Sequence, residues 1–157
     1  MSPVKVLVLI DGMHTKEILD ALARLVDLRS SELLLAYVEG PEARHGLDLV
    51  RHRPGGAGPL PYGREQELSD AEAVAAGTAM SDAEEAARAH GAAFEAIRLS
   101  GKAGEAICGL AERRHPDLVV VRAGGPDRPP IGPGSLGKAA KFIADHSRVP
   151  VLLLRTS

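Results

Sequence analysis

Two short stretches of the chain carry residues suited to binding a ligand. The first is Asp11-Gly12, which follows the apolar run Val4–Ile10 and offers a carboxylate that accepts hydrogen bonds. The second is the glycine- and proline-rich segment 124–134, which is followed by Ser135. Glycines let backbone N–H groups approach an anion, and the free N–H groups at a helix start favour the same charge. The two stretches together predict a mononucleotide site, with Asp11 on a ribose hydroxyl or the adenine amino group.

The elements that must position these residues are strands alternating with helices. Short apolar runs predict buried strands, and apolar faces at helical spacing predict the segments between them. This alternation is typical of an α/β domain with a parallel sheet and helices on both faces. The predicted strands are 4–10, 32–38, 93–99, 118–121 and 149–154, and the predicted helices are 14–28, 69–90, one opening at 101–104 and one capped by Ser135.

The polarity of two strands sets the predicted strand order. The third strand carries Glu95 and Arg98, and the fifth contains Pro150, which lacks an N–H donor, so both suit sheet edges. Right-handed crossovers then give a doubly wound five-stranded sheet of order 3-2-1-4-5. In such a sheet the chain direction reverses between strands one and four, and ligands bind at the carboxyl ends of the strands there. Asp11 and the segment 124–134 lie at that point.

Composition excludes several classes of protein. A net charge of −2 and 3% aromatic residues argue against a protein that binds nucleic acid. No apolar run approaches the roughly 20 residues that span a membrane. Cys108 is the single cysteine, and neither it nor His45 and His52 makes a metal-binding pattern. We therefore expect one cytoplasmic domain over residues 1–157, without a metal of its own.

Residues from about 40 to 67 interrupt the pattern of strands and helices. Four prolines and the stretch 55–58, which is Gly-Gly-Ala-Gly, remove any regular period. The composition predicts a long loop, which is either a flexible insertion or a lid over the site.

The sequence resembles the universal stress protein family over essentially its whole length. The nucleotide-binding members of that family carry the pattern G-x2-G-x9-G-[ST] after the fourth strand. Gly124, Gly134 and Ser135 match the second half of the pattern. The segments that carry the resemblance are Val6–Gly12, Leu33–Val38, Gly104–Ile107, Pro116–Val121 and Pro150–Leu154.

The resemblance implies a ligand and an assembly. The ligand is ATP or another adenine nucleotide such as AMP, with Mg²⁺ as an optional companion, and Asp11 and Val38 would hold the base and ribose. The assembly is a homodimer that pairs through the fifth strand. The predicted nucleotide-binding residues are Asp11, Gly12, Val38, Gly124, Gly125, Gly134, Ser135, Leu136 and Lys138.

The sequence departs from the family pattern at three places. The first motif glycine is replaced by Val121 when spacing is counted, or by Arg122 when strands are aligned. Hydroxyl residues common in the family are replaced by Met13 and Gly137. These changes predict weaker phosphate binding, for which Lys138 is the candidate compensating charge.

Two function classes remain open at the sequence level. The first is a small regulatory, stress-response protein that binds an adenine nucleotide. The second is a dimeric interaction module on the same fold with no nucleotide. The residues argue against an enzyme, because neither the P-loop lysine spacing nor a G-x-S-x-G motif is present, although slow ATP hydrolysis stays open.

Overall fold

A computed structural model describes residues 2–39, 62–125 and 127–155. Within these ranges the chain forms a five-stranded parallel sheet of order β3-β2-β1-β4-β5, which confirms the predicted doubly wound topology. The strands are β1 (Val4–Ile10), β2 (Ser31–Glu39), β3 (Ala93–Ser100), β4 (Leu118–Arg122) and β5 (Val151–Leu154).

In the described ranges, four α-helices cover the sheet, two on each face. The three central strands are buried on both faces, which explains their continuous apolar runs. One face of the sheet packs against the first two helices and the other against the last two. None of the helices in the described ranges combines the length and apolarity that a membrane crossing requires. The helices are α1 (Thr15–Ala23), α2 (Tyr62–Ala89), α3 (Ala103–Arg114) and α4 (Lys138–His146).

The predicted end of α1 and the predicted start of α2 are wrong. The helix α1 ends at Ala23 rather than Leu28, because the chain turns toward a short 3₁₀ helix, Leu28–Ser30, in which the Arg29 N–H donates to the Asp27 carboxylate. The helix α2 begins at Tyr62, so Ser69 lies inside it and does not cap its start. No proline follows Pro61 before that helix ends, so nothing in the sequence stops it from beginning early.

The predicted loop at about 40–67 falls largely outside the described residues. Its last residues, from Tyr62, belong to α2. His45 and His52 also lie outside the described residues.

Candidate functional site

The carboxyl ends of three neighbouring strands form the edge of the sheet where the site was predicted. The strand β1 pairs in parallel with β2 on one side and β4 on the other, with Val8 opposite both Leu35 and Val120. Because all the strands run the same way, their last residues reach a common edge. Asp11 therefore follows β1 beside Arg122 at the end of β4.

Asp11 is held by four hydrogen bonds. Its Oδ1 accepts the backbone N–H groups of Met13 at 3.0 Å and His14 at 2.8 Å. Its Oδ2 accepts the Nε–H of Arg122 at 2.8 Å and lies 3.1 Å from the His14 Nδ1. The first two bonds form a turn that leads directly into α1, so Asp11 both ends its strand and organises the start of the next helix.

These contacts decide the charge of Asp11. Partial burial by itself raises the pKa of the carboxyl, but the N–H groups of His14 and Met13 and the Arg122 guanidinium outweigh it. The pKa of Asp11 therefore lies below its ordinary value, since hydrogen bonds to a carboxylate favour its charged form. Asp11 is an anionic acceptor at neutral pH.

The glycine-rich loop closes on itself at the end of β4. The Gly124 N–H donates to the carbonyl oxygen of Leu136 at 3.0 Å, which joins the two ends of the loop. Gly137 lies so close that a Cβ there would come within 2.9 Å of the Gly124 carbonyl oxygen, and its φ is +83°. Only glycine fits both the contact and the backbone conformation.

Ser135 does not cap the last helix, contrary to the prediction from sequence. The helix α4 begins three residues later, at Lys138, with Gly137 in the N-cap position. The Ser135 side chain is instead buried, at 1% exposure, and its Oγ accepts a hydrogen bond of 3.1 Å from Arg155. Arg155 also donates to the Pro130 carbonyl at 2.7 Å, so it ties both Ser135 and the loop to the end of β5.

The backbone N–H groups of the loop are not equally available to a ligand. Those of Gly124 and Ser135 are already bonded, to Leu136 and Gly132 respectively. Those of Gly134 and Leu136 have no hydrogen-bond partner in the described part of the chain. Space is open beside Gly134, since a Cβ built there meets no atom within 4 Å.

The predicted site residues occupy one edge of the sheet. Gly12 follows Asp11, and Gly125 follows Gly124 at the start of the loop. Val38 is 6% exposed, with its side chain in the core beneath α3, so its backbone is the part that lies at the strand end. Lys138 is exposed at the first position of α4.

The sequence reasoning missed three side chains in this region. From the sequence, Arg122 is only a departure from the motif, His14 is open as either a surface or a site residue, and Arg155 has no predicted role. Of the two candidates for the missing glycine, Val121 is a core residue at 2% exposure, whereas the Arg122 side chain hydrogen-bonds to Asp11. An arginine at the end of a central strand, beside a carboxylate at the end of its neighbour, was the signal available in the sequence.

A model of the universal stress protein family matches residues 4–155. The chain belongs to the universal stress protein family. No curated protein sequence matches this chain significantly.

Solved structures of universal stress proteins share the fold. The protein UspA from Lactobacillus plantarum superposes with a TM-score of 0.70 at 20% identity, over 99% of each chain. A universal stress protein in complex with cAMP gives 0.63 at 21% identity over 100% of both chains. A family protein from Arabidopsis thaliana with AMP bound gives 0.63 at 15% identity, over 99% of this chain and 93% of that one.

Proposed function

We propose that this universal stress protein binds an adenine nucleotide at the crevice between the ends of β1 and β4. The observation that carries the proposal is that the Asp11 carboxylate hydrogen-bonds to Arg122 at the end of β4, two residues before a glycine loop closed by the Gly124–Leu136 bond. An acceptor for the nucleoside and donors for phosphate are thus placed on one edge. The cAMP and AMP complexes of the structural neighbours are consistent with this ligand class.

The available groups favour a nucleotide with few phosphates. The base and ribose would lie by Asp11 and the backbone of Val38, and the phosphate over the N–H groups of Gly134 and Leu136. Because the Gly124 and Ser135 N–H groups are used within the loop, fewer donors remain for a triphosphate. We therefore expect AMP to bind at least as tightly as ATP, with or without Mg²⁺.

A regulatory role fits the site better than a catalytic one. The Cys108 thiol lies on α3 outside this crevice, and burial and the nearby Glu112 carboxylate raise its pKa, so it supplies no thiolate nucleophile to the site. We propose that the protein acts by changing its binding to partners when nucleotide is present, and that it does so in the cytoplasm.

Calorimetry on nucleotide-stripped protein tests the proposed ligand. We expect AMP to bind at micromolar to millimolar concentration, and Gly134→Val to abolish binding by blocking the approach to the loop backbone. The matched control is Gly132→Val, because Gly132 has a similar positive φ of +88° and equally open space. Equal loss of binding in both variants would mean that loop distortion, not the position of Gly134, is responsible.

The second candidate is an interaction module without a nucleotide. Two observations favour it: the Arg122 side chain reaches across to Asp11, and the Gly124 N–H is already bonded. If AMP, ADP and ATP all fail to bind at millimolar concentration, the interaction module replaces the nucleotide-binding protein as the proposed function.

We also propose that the protein is a homodimer through β5. In the described part of the chain this strand pairs with β4 alone, so its other edge offers unpaired backbone groups. Pairing of β5 with its symmetry mate would satisfy them.

A further inference from the structure

The side chain of Arg122 lies across the proposed nucleotide crevice. Its Nε–H donates to Asp11 Oδ2 at 2.8 Å, and one terminal nitrogen is 3.6 Å from where a Cβ of Gly124 would stand. The guanidinium therefore borders both halves of the site, the carboxylate that would hold the nucleoside and the loop that would hold the phosphate. The Arg122 side chain is 19% exposed and the Asp11 side chain 27% exposed, so the pair is partly buried.

The Asp11 carboxylate has little capacity left for a ligand while this pair is intact. Oδ1 accepts two backbone N–H groups, and Oδ2 faces Arg122 and His14. A ribose hydroxyl or adenine amino group must compete with a charge-assisted hydrogen bond, which is about twice as strong as a neutral one. An uncharged nucleoside offers the displaced guanidinium no anionic partner in return.

A phosphate changes that balance. A guanidinium binds phosphate oxygens through two parallel N–H bonds, so a phosphorylated ligand can replace the partner that Arg122 gives up. The side chain needs only to turn from Asp11 toward the loop it already borders. We propose that Arg122 is a specificity-determining residue, which pairs with Asp11 until a phosphate takes its place and so makes the crevice prefer adenine nucleotides over adenosine.

Other cations near the loop have different positions. Arg155 is bonded to Ser135 and Pro130, and Arg128 lies 3.4 Å from the Gly134 carbonyl oxygen, so both contact the loop rather than Asp11. Lys138 is exposed at the first residue of α4. Within the described residues, Arg122 is the cation that contacts the carboxylate and borders the loop as well.

The inference rests on the proposed nucleotide site, and calorimetry with adenosine and AMP tests it. We expect the wild-type protein to prefer AMP by about tenfold or more, the usual effect of one charged hydrogen-bonded contact. Arg122→Gly, which removes the guanidinium, should bind adenosine more tightly and AMP more weakly. Both changes lower the preference for AMP, and we expect a severalfold decrease. Arg122→Lys should give an intermediate preference, because it keeps the charge but not the paired donors.

Lys138→Gln is the control for simple loss of positive charge. It should weaken AMP binding without improving adenosine binding, since Lys138 does not contact Asp11. If Arg122→Gly leaves the ratio of the two affinities unchanged, the inference is overturned while the nucleotide site stands. If neither ligand binds the wild type or any variant, the proposed function is overturned and the inference with it. Thermal unfolding of each variant checks that it is folded.

Discussion

At the scale of single residues, Asp11 connects the strand β1, the helix α1 and the strand β4. Two backbone N–H groups and two side chains converge on one carboxylate. Because the charged form is the one stabilised, the carboxylate contributes to folding as well as to the proposed site.

Asp11→Asn should destabilise the protein at neutral pH. The amide keeps one acceptor oxygen but places an NH₂ group where the Arg122 guanidinium or a backbone N–H would meet it. We expect a loss of about 1–2 kcal/mol, measured by urea or thermal unfolding at pH 7.

The pH dependence of this loss checks its cause. The folded-state pKa of Asp11 lies below the unfolded value of about 3.9. The contribution of Asp11 to the free energy of unfolding is therefore fully present above the unfolded pKa, and it is lost as the pH falls through the folded pKa. The stability gap between wild type and Asp11→Asn should therefore narrow as the pH is lowered from about 5 to about 3. Asp145→Asn, on the exposed face of α4, is the control. If the stability difference between wild type and Asp11→Asn stayed constant with pH, the destabilisation would come from the altered hydrogen-bond geometry and not from the lost charge.

At the scale of elements, β5 carries the proposed dimer contact. The carbonyl oxygens of Pro150 and Leu154 accept N–H groups from the β4 side. Backbone groups alternate in direction along a strand, so those of Val151 and Leu153 face the free edge.

Val151→Pro should therefore break the dimer while leaving the sheet intact. Proline removes the outward N–H donor at Val151, and edge positions tolerate it in a folded sheet. We expect the mass measured by light scattering to fall by half at micromolar concentration. The control Val151→Thr keeps the N–H and the branched shape, and should remain dimeric. A Val151→Pro protein that stayed dimeric would place the interface on another surface.

The elements also show what could be predicted from sequence and what could not. Strands β1, β2 and β4 were predictable because a strand buried on both faces needs an unbroken apolar run, and the polar β3 had to lie at an edge. The start of α4 was not predictable, since Ser135 has the right type for a cap but its hydroxyl is taken by Arg155, twenty residues away. The sequence predicts the start of α2 at Ser69, because a capping pattern is a local signal. The helix has already begun at Tyr62, so Ser69 lies within it and is not its cap.

In the candidate site too, local sequence features are predictable and contacts between distant residues are not. Asp11, Gly124 and Gly134 were located from strand ends and glycine spacing, which are features of the chain itself. The predicted strand order makes β1 and β4 neighbours, but the bond between Asp11 and Arg122, which are 111 residues apart, also depends on the register of the two strands, and the sequence does not state that register.

At the scale of the whole molecule, helices α1 and α2 cover one face of the sheet and α3 and α4 the other. The winding reverses between β1 and β4, and sheets of this type bind ligands at the strand ends there, which is why the proposed crevice is placed at that point. A second concavity, of about 400 Å³, lies elsewhere, between the ends of α3 and α4, and is lined by Glu112, His115, His146 and Arg148 among others. A ligand bound there would leave the glycine loop untouched.

Backbone amide NMR shifts on addition of AMP test the central claim most directly, because they report where the nucleotide binds as well as whether it binds. We predict that the largest shifts fall on Gly134 and Leu136, whose N–H groups have no partner in the described chain, and on Met13 and His14 beside Asp11. Saturating shifts at these four amides would support the account. Shifts concentrated around Cys108 and His146 at the second concavity, or none at millimolar AMP, would contradict it.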